Sequence, residues 1–322
     1  MATSGTIGTT RINTAKLLEK CLRRIGLNPQ NLAPEIVTSA QEDLFMLLMS
    51  LSNRGLNLWC IDKQLITLAP GQSGYDLPVG TLNILNLLQA SPSLSTSDST
   101  SSTATSYTSI LTEPTKLVRY GVRFSQVPVS FDLQGSLDGV LWETIQAVTA
   151  VTGLQWYDVD PEANFSYYKI SSVDPLVVDT LYLANSVREI AVSQFNRDDY
   201  ANQPNKTFTS GLVTSFYFEK LINPRIQTWP VPNDEINHLV LFRHRQPQDV
   251  GTLTQEIEIP SRWYEAITWQ WSVRLAFELP GVDPARRAEV IQMAGQMMAE
   301  VEGGETDEAP IYFAPRIGCY TR

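Results

Sequence analysis

His238 and His244, with Arg243 and Arg245 beside the second, are the residues whose types and spacing come closest to chemistry. On an extended segment, residues six apart share a face, so the two imidazoles point the same way and the two guanidinium groups point the other. A zinc-type site needs a third and a fourth ligand nearby, and neither the acids nor the cysteines offer a familiar spacing. The expectation is therefore packing or solvated histidines and an arginine pair at a solvated strand end, with an acidic partner or a phosphate as the alternative for the arginines. Asp158, Asp160 and Glu162 alternate as calcium ligands do. They lack the Gly-centred bend and the later bidentate acid of a calcium loop, so a polar turn is expected. No Gly-rich phosphate loop and no Gly-x-Ser-x-Gly elbow occurs. Trp263 and Trp271 lie at helical spacing and read as core. Cys21, Cys60 and Cys319 are far apart and odd in number, which points to free thiols in a reducing compartment. No catalytic residue, cofactor site or metal site is expected, and the chain is expected not to be an enzyme.

The elements that must hold these residues fall into three stretches. Leu17, Leu18, Cys21, Leu22 and Ile25 form a helical stripe over 14–25. A second helix starts at Pro34, a favourable first-turn residue, and is expected to bury Ile36, Val37, Ala40, Leu44, Leu47, Leu48 and Leu51. After Cys60 the period changes to that of strands, with a hairpin around Pro70–Gly74. Residues 91–110 include 14 Ser or Thr in 20 positions, and with so little apolar surface they are expected to form a linker or long loop. Short strands follow to Ile170, and Leu181–Phe195 is ambiguous between strand and helix. Further strands are expected over Phe208–Phe218, Arg225–Trp229 and Ile236–Phe242. Two more helices follow, one between Pro260 and Pro280 and one entered at Asp283-Pro284 and ended by Gly303-Gly304. The pattern predicts an α+β chain: a four-helix framework with an antiparallel β part over 1–88 and 178–322, interrupted by an all-β jelly-roll sandwich over 89–177. The end of the chain opens acidic (Glu305, Asp307, Glu308) and turns apolar and aromatic (Ile311, Tyr312, Phe313, Tyr320), so it is expected to dock on a surface.

Composition narrows the function classes. The formal charge of −10 argues against wrapping duplex DNA, which needs clustered cations to release counterions. An acidic wall does suit a channel through which DNA must slide. Charged residues make up only 18%, so desolvating this surface against other copies costs little. The first ten residues lack the apolar core of a signal peptide. No run reaches the roughly 18 apolar residues of a spanning helix. A soluble protein made in a cytoplasm, without a membrane partner, is expected.

Two stretches resemble known families. The segment from Val129 to Trp142, VSFDLQGSLDGVLW, is similar to discoidin-type (coagulation factor 5/8 C) jelly rolls. Ser136, Asp138, Gly139 and Trp142 match that family's Ser-x-Asp-Gly-x-x-Trp, and Tyr167-Tyr168-Lys169-Ile170 stands where it has a late aromatic-basic strand. The resemblance implies that Asp-Gly makes the hairpin turn and that Trp142 packs between sheets. The flanking parts resemble head-to-tail adaptor proteins of short-tailed phages, of the tail tubular protein A and tail accessory factor group. The residues that carry this are Trp59, Tyr75-Asp76-Leu77-Pro78, Trp229-Pro230-Val231-Pro232 and Ile257-Glu258-Ile259-Pro260, in that order. It implies a structural protein of the virion's head-tail junction, in a ring of twelve copies joining the portal to the tail nozzle or hub, with tail fibres as a further contact and DNA passing through the lumen without specific binding. Ile311, Tyr312, Phe313 and Tyr320 would then contact the portal. A carbohydrate-binding or adhesion protein acting through the jelly roll is the competing reading.

Overall fold

The computed structural model describes residues 12–29, 33–54 and 58–304. The described residues divide into two compact units, one drawn from those up to Cys60 and from Gln246 onward and the other from 61–245.

The first unit holds α1 (Thr14–Arg24) and α2 (Pro34–Asn53) from one end of the chain. It also holds a helical turn at Ser261–Trp263 that leads into two long helices from the other end. Asn13 caps α1 by accepting a hydrogen bond from the Lys16 amide (3.0 Å), which satisfies a first-turn donor. Pro34 stands in the first turn of α2. The apolar stripes of these helices close on Trp263 and Trp271, both fully buried. Trp271 Nε1 donates to the Ala40 carbonyl (2.9 Å), so the indole is buried with its polar atom paired. Cys21 is buried in the same core, and burial pushes its thiol up to about 12.

The second unit is almost entirely strand. In order these are β1 (Ile61–Thr67), β2 (Gly74–Asp76), β3 (Thr81–Ser95), β4 (Ser99–Ser102), β5 (Ser106–Gln126), β6 (Ser130–Ser136), β7 (Glu143–Thr149) and β8 (Leu154–Ser171). There follow β9 (Val177–Ala191), β10 (Ser193–Phe195), the short helix α3 (Arg197–Ala201), β11 (Thr209–Ser210), β12 (Ser215–Glu219), β13 (Arg225–Trp229), β14 (Val231–Pro232) and β15 (His238–Arg245). In the first unit α4 is Tyr264–Glu278 and α5 is Pro284–Gly304. The main sheet runs β1-β15-β3-β9-β5-β8-β6-β7, with β4 on β5, and every pairing in it is antiparallel. A second sheet runs β10-β12-β13-β2.

This overturns the four-helix framework with an inserted sandwich. Antiparallel sheet is the dominant architecture, and the long helices are confined to the smaller part. Nor does a seam fall at 88/89 or at 177/178. β3 crosses the first without a break, and β9 begins at Val177. β3 and β9 then pair with each other from Leu88↔Ala191 to Ser95↔Leu183. Contacts thin instead at 60/61 and 245/246.

The Ser/Thr-rich tract is strand rather than linker. Ser99–Ser102 pairs with Tyr107–Ile110, and Ser106–Ile110 pairs in turn with Tyr167–Ser171. Small hydroxyl side chains tolerate the solvated face of a sheet, and the ladder satisfies their backbone groups without apolar burial. Leu181–Phe195 resolves as strand for the same reason, since β9 has β3 on one side and β5 on the other. Among the described residues no helix is long and apolar enough to cross a membrane.

Candidate functional site

The loop between β6 and β7 is built by the residues the sequence singled out. Ser136 ends β6, and its hydroxyl donates to Asp138 Oδ1 (2.9 Å) while accepting from the Gly139 amide (2.9 Å). Asp138 Oδ1 also accepts from the amides of Val140 (2.8 Å) and Leu141 (2.9 Å). Hydrogen bonds from Leu141, Val140 and Ser136 hold this carboxyl below the usual carboxylate range. Gly139 has φ +73°, a backbone conformation that favours glycine, and a Cβ there would lie 3.3 Å from the Tyr167 ring, which would have to shift by a few tenths of an ångström. The Asp138 carboxylate is thus used by its own loop. What the loop presents to solvent is apolar: Leu137, Val140 (75% exposed) and Leu141 (78% exposed).

Trp142 does not pack between sheets. It is half-buried on the surface, with Lys169 Nζ 3.9 Å from its ring centroid. The loop delivers it before β7 begins at Glu143, on the side away from the core that Phe131, Leu133, Tyr168 and Ile170 fill. Tyr167 and Lys169 alternate with those buried residues along β8, so they face outward. Gln134 stands opposite Lys169 and Ser136 opposite Tyr167. Burial lowers the Lys169 ammonium somewhat. The result is a surface of two half-buried aromatics flanked by an ammonium and an amide. It holds no nucleophile paired with a base. It can cover the apolar face of a ring and offer hydrogen bonds at the rim.

The histidine-arginine strand proves to be interior. Arg243 is buried, donating from Nε and Nη2 to the two Asp62 carboxylate oxygens (2.7 and 2.9 Å) and from Nη1 to Thr81 Oγ1 (2.8 Å). Arg245 reaches the same carboxylate at 3.5 Å. β1 covers one side of β15 and β3 the other, so the expected solvated strand end does not exist. His238 and His244 are both buried. His238 stacks on Trp156 (centroids 4.5 Å apart) and donates from Nδ1 to the Ile236 carbonyl (3.2 Å). Its Nε2 therefore accepts from Arg119 Nη1 (2.8 Å). Burial first, then the Arg119 charge, pushes this imidazole down to about 4, against the pull of the Ile236 carbonyl.

Arg119 also donates to Asp158 and Glu189. Asp158, expected in a turn, lies inside β8 and bridges Arg119 and Lys63. Burial alone would raise its carboxyl, but the Lys63 hydrogen bond and the Arg119 charge outweigh it, and the carboxyl is held below the usual range. Glu162 pairs with Lys116 (2.6 Å). Among the described residues no group of three or more His, Cys, Asp or Glu is placed to hold a metal. Arg119 was missed in the sequence, where it alternates with Val118, Tyr120 and Val122 as a solvent-facing residue would. No local signal marked it, since Arg119 and Arg123 interrupt the apolar residues of 117–124, and it is the burial of Arg119, Tyr120 and Val122 alike that shows both faces of β5 covered there. Ile311, Tyr312, Phe313, Tyr320 and Cys319 lie outside the described residues, while Cys21 and Cys60 are free and buried.

No family model matches the chain, and no curated protein is similar to it. Similar solved structures include the family 32 carbohydrate-binding module from Streptococcus pneumoniae EndoD, at 10% identity and TM-score 0.23 over 38% of this chain and all of that one. CpGH89CBM32-6 produced by Clostridium perfringens matches at 9% identity and TM-score 0.23, over 39% of this chain and 94% of that one. The C-terminal domain of a chitobiase from Bacteroides fragilis matches at 17% identity and TM-score 0.21, over 27% of this chain and 64% of that domain. At these scores the likenesses carry no argument about what this chain does.

Proposed function

We propose that the chain acts by binding rather than catalysis, and that its β unit holds a carbohydrate against the outer face formed by Trp142, Tyr167, Lys169 and Gln134. The observation that carries this reading is the exposure of the Trp142–Tyr167 surface on a loop that fixes its own shape. A sugar ring offers an apolar face to the aromatics and hydroxyls to Lys169 and Gln134. Binding of the full chain to a glycan array tests it, with Trp142→Ala as the control. Binding should vanish in the variant while its unfolding midpoint stays within a few degrees, because the cation–π contact removed is half-exposed and contributes only about 0.5–1 kcal/mol. Absence of any glycan binding, or binding indifferent to Trp142, refutes the reading.

A second reading is favoured by a different observation: helices from both ends of the chain pack into one unit around Trp263 and Trp271. On this reading the chain would be a head-to-tail adaptor of the virion, as the resemblance of its flanking parts implies, with this unit docked on a portal in a ring of twelve copies and the tail hub below. The acidic charge and low charge density accord with a non-adhesive lumen and many subunit contacts. Mixing the purified chain with its portal should give a ring-on-portal complex in electron micrographs. A chain that stays monomeric in that mixture removes this reading.

A further inference from the structure

α3 and β12 enclose a second concave surface, away from the Trp142 loop in sequence and in sheet. Asn196 caps α3 by accepting from the Asp199 amide (2.8 Å), and the short helix lays Tyr200 against Tyr217 of β12. The two rings stack with centroids 5.4 Å apart and planes 18° from parallel. Lys206 Nζ stands 5.5 Å from the Tyr200 ring, and Lys220 Nζ stands 5.9 Å from the ring of buried Phe218. Arg197, Glu219 and Leu221 complete a hollow of about 780 Å³.

The charges in this hollow are unbalanced. Among the described residues Arg197, Lys206 and Lys220 have no carboxylate partner, although the chain as a whole carries −10. Three cations around an aromatic floor call for an anion carried on a ring. Glu219 narrows the choice. Its carboxylate has one long hydrogen bond, from Gln227 Nε2 (3.4 Å), and is otherwise open to donors. A phosphate-dense ligand would be repelled by it, whereas a polyhydroxylated ring would donate to it. The Tyr200 hydroxyl, raised by burial and by Glu219, stays protonated and adds a donor.

We propose that the Tyr200–Tyr217 hollow is a binding site for a carboxylated sugar of the uronic-acid class. Arg197 and Lys206 take the ligand carboxylate, the tyrosines cover the ring face and Glu219 accepts from hydroxyls. This goes beyond the Trp142 surface and rests on separate residues. Calorimetric titration of the full chain with tetragalacturonate tests it, with maltotetraose, inorganic phosphate and an eight-nucleotide single strand as comparisons. Tetragalacturonate alone should bind. Arg197→Ala and Lys206→Ala, both exposed and neither in an ion pair among the described residues, should each weaken it by roughly tenfold, and Trp142→Ala should leave it unchanged. Failure to bind any carboxylated sugar, equal binding of maltotetraose, tighter binding of phosphate or the oligonucleotide, or indifference to both substitutions overturns the proposal. Loss in Trp142→Ala with retention in the two cation variants assigns the sugar to the other surface and also overturns it.

Discussion

His238 offers a quantitative test of how the β unit is held together. Its Nδ1–H is committed to the Ile236 carbonyl and its Nε2 lone pair to Arg119, with Trp156 across one ring face. Protonating Nε2 would set a donor against a guanidinium donor in a buried place, with Lys63 adding to the repulsion and Asp158 only partly offsetting it. The fold therefore prefers the neutral ring. Its stabilisation is complete above the unfolded value of 6.5, declines as the pH falls, and levels off below the folded value of about 4. At about 1.36 kcal/mol per pH unit, the interval between those values corresponds to a loss of about 3 kcal/mol by pH 4. Asp158 does not intrude, because a carboxyl held below the usual range loses its contribution only at lower pH. Asp43 does intrude. Burial, then its hydrogen bond with Glu278, raises its carboxyl to about 6, so it titrates over the same interval with the opposite sign. The wild-type curve alone is thus uninformative, and the difference from His238→Gln isolates the histidine. Urea unfolding of both proteins between pH 7.5 and 4 is the assay. The variant should be less stable at pH 7.5, where it loses the stack on Trp156, and the gap should move in its favour by about 3 kcal/mol at pH 4. A gap that stays constant, or widens against the variant, refutes the assigned tautomer and its burial.

Other outcomes follow from the same structure. Arg243→Leu leaves Asp62 without its bidentate partner and should cost about 3 kcal/mol in urea unfolding, the lower end for a broken buried pair because Asp62 is partly solvated. Trp271→Ala should destabilise the helical unit by roughly 3–5 kcal/mol, read in the same way, since it empties a fully buried site and removes the indole hydrogen bond to the Ala40 carbonyl. Asp138→Ala should leave the global midpoint nearly unchanged while hydrogen exchange at the Val140 and Leu141 amides accelerates; in the wild type the same loosening should set in only below the usual carboxylate range, where the carboxyl protonates. Cys21, with its thiol raised to about 12, should resist alkylation at pH 8 until denaturant is added, as counted by mass spectrometry of the Cys21 peptide.

The helices were legible because each carries its own boundary chemistry and a stripe of period 3.6. Pro34 and Asp283-Pro284 mark starts that can be read without knowing what the helix packs on. The β unit was legible only where turns announce themselves, as at Asp138-Gly139. Its extent was not, because pairing partners in a sheet are set by long-range register. Nothing local in Ser91–Ser109 says that β8 and β9 will supply a ladder for those backbone groups. Low apolar content, a sound sign of disorder in isolation, was overridden by edges already stabilised elsewhere.

The candidate sites show the same division from the side of chemistry. Ser136, Asp138 and Gly139 were found because a side chain that caps its own backbone acts within three residues, and such a motif travels intact in sequence. Trp142 was found but placed wrongly: the motif fixes the turn, while the face on which the next residue emerges depends on where β7 rejoins β6. Arg119 was not singled out, Arg243 was expected at a solvated strand end, and for His238 packing and solvation were left open, because alternation normally assigns the polar positions of a strand to water. Here β5 and β15 are interior strands with neighbours on both sides. Their second face is buried too, so polar residues there must find partners, and Asp62, Asp158 and Glu189 come from strands far away in sequence. The Tyr200–Tyr217 hollow lay further out of reach, since a stack between a five-residue helix and a strand leaves no periodic trace. What the sequence does carry over 197–220 is three cations, Arg197, Lys206 and Lys220, balanced by Asp198, Asp199 and Glu219, so the stretch is neutral in an acidic chain and only the fold gathers the cations around one hollow.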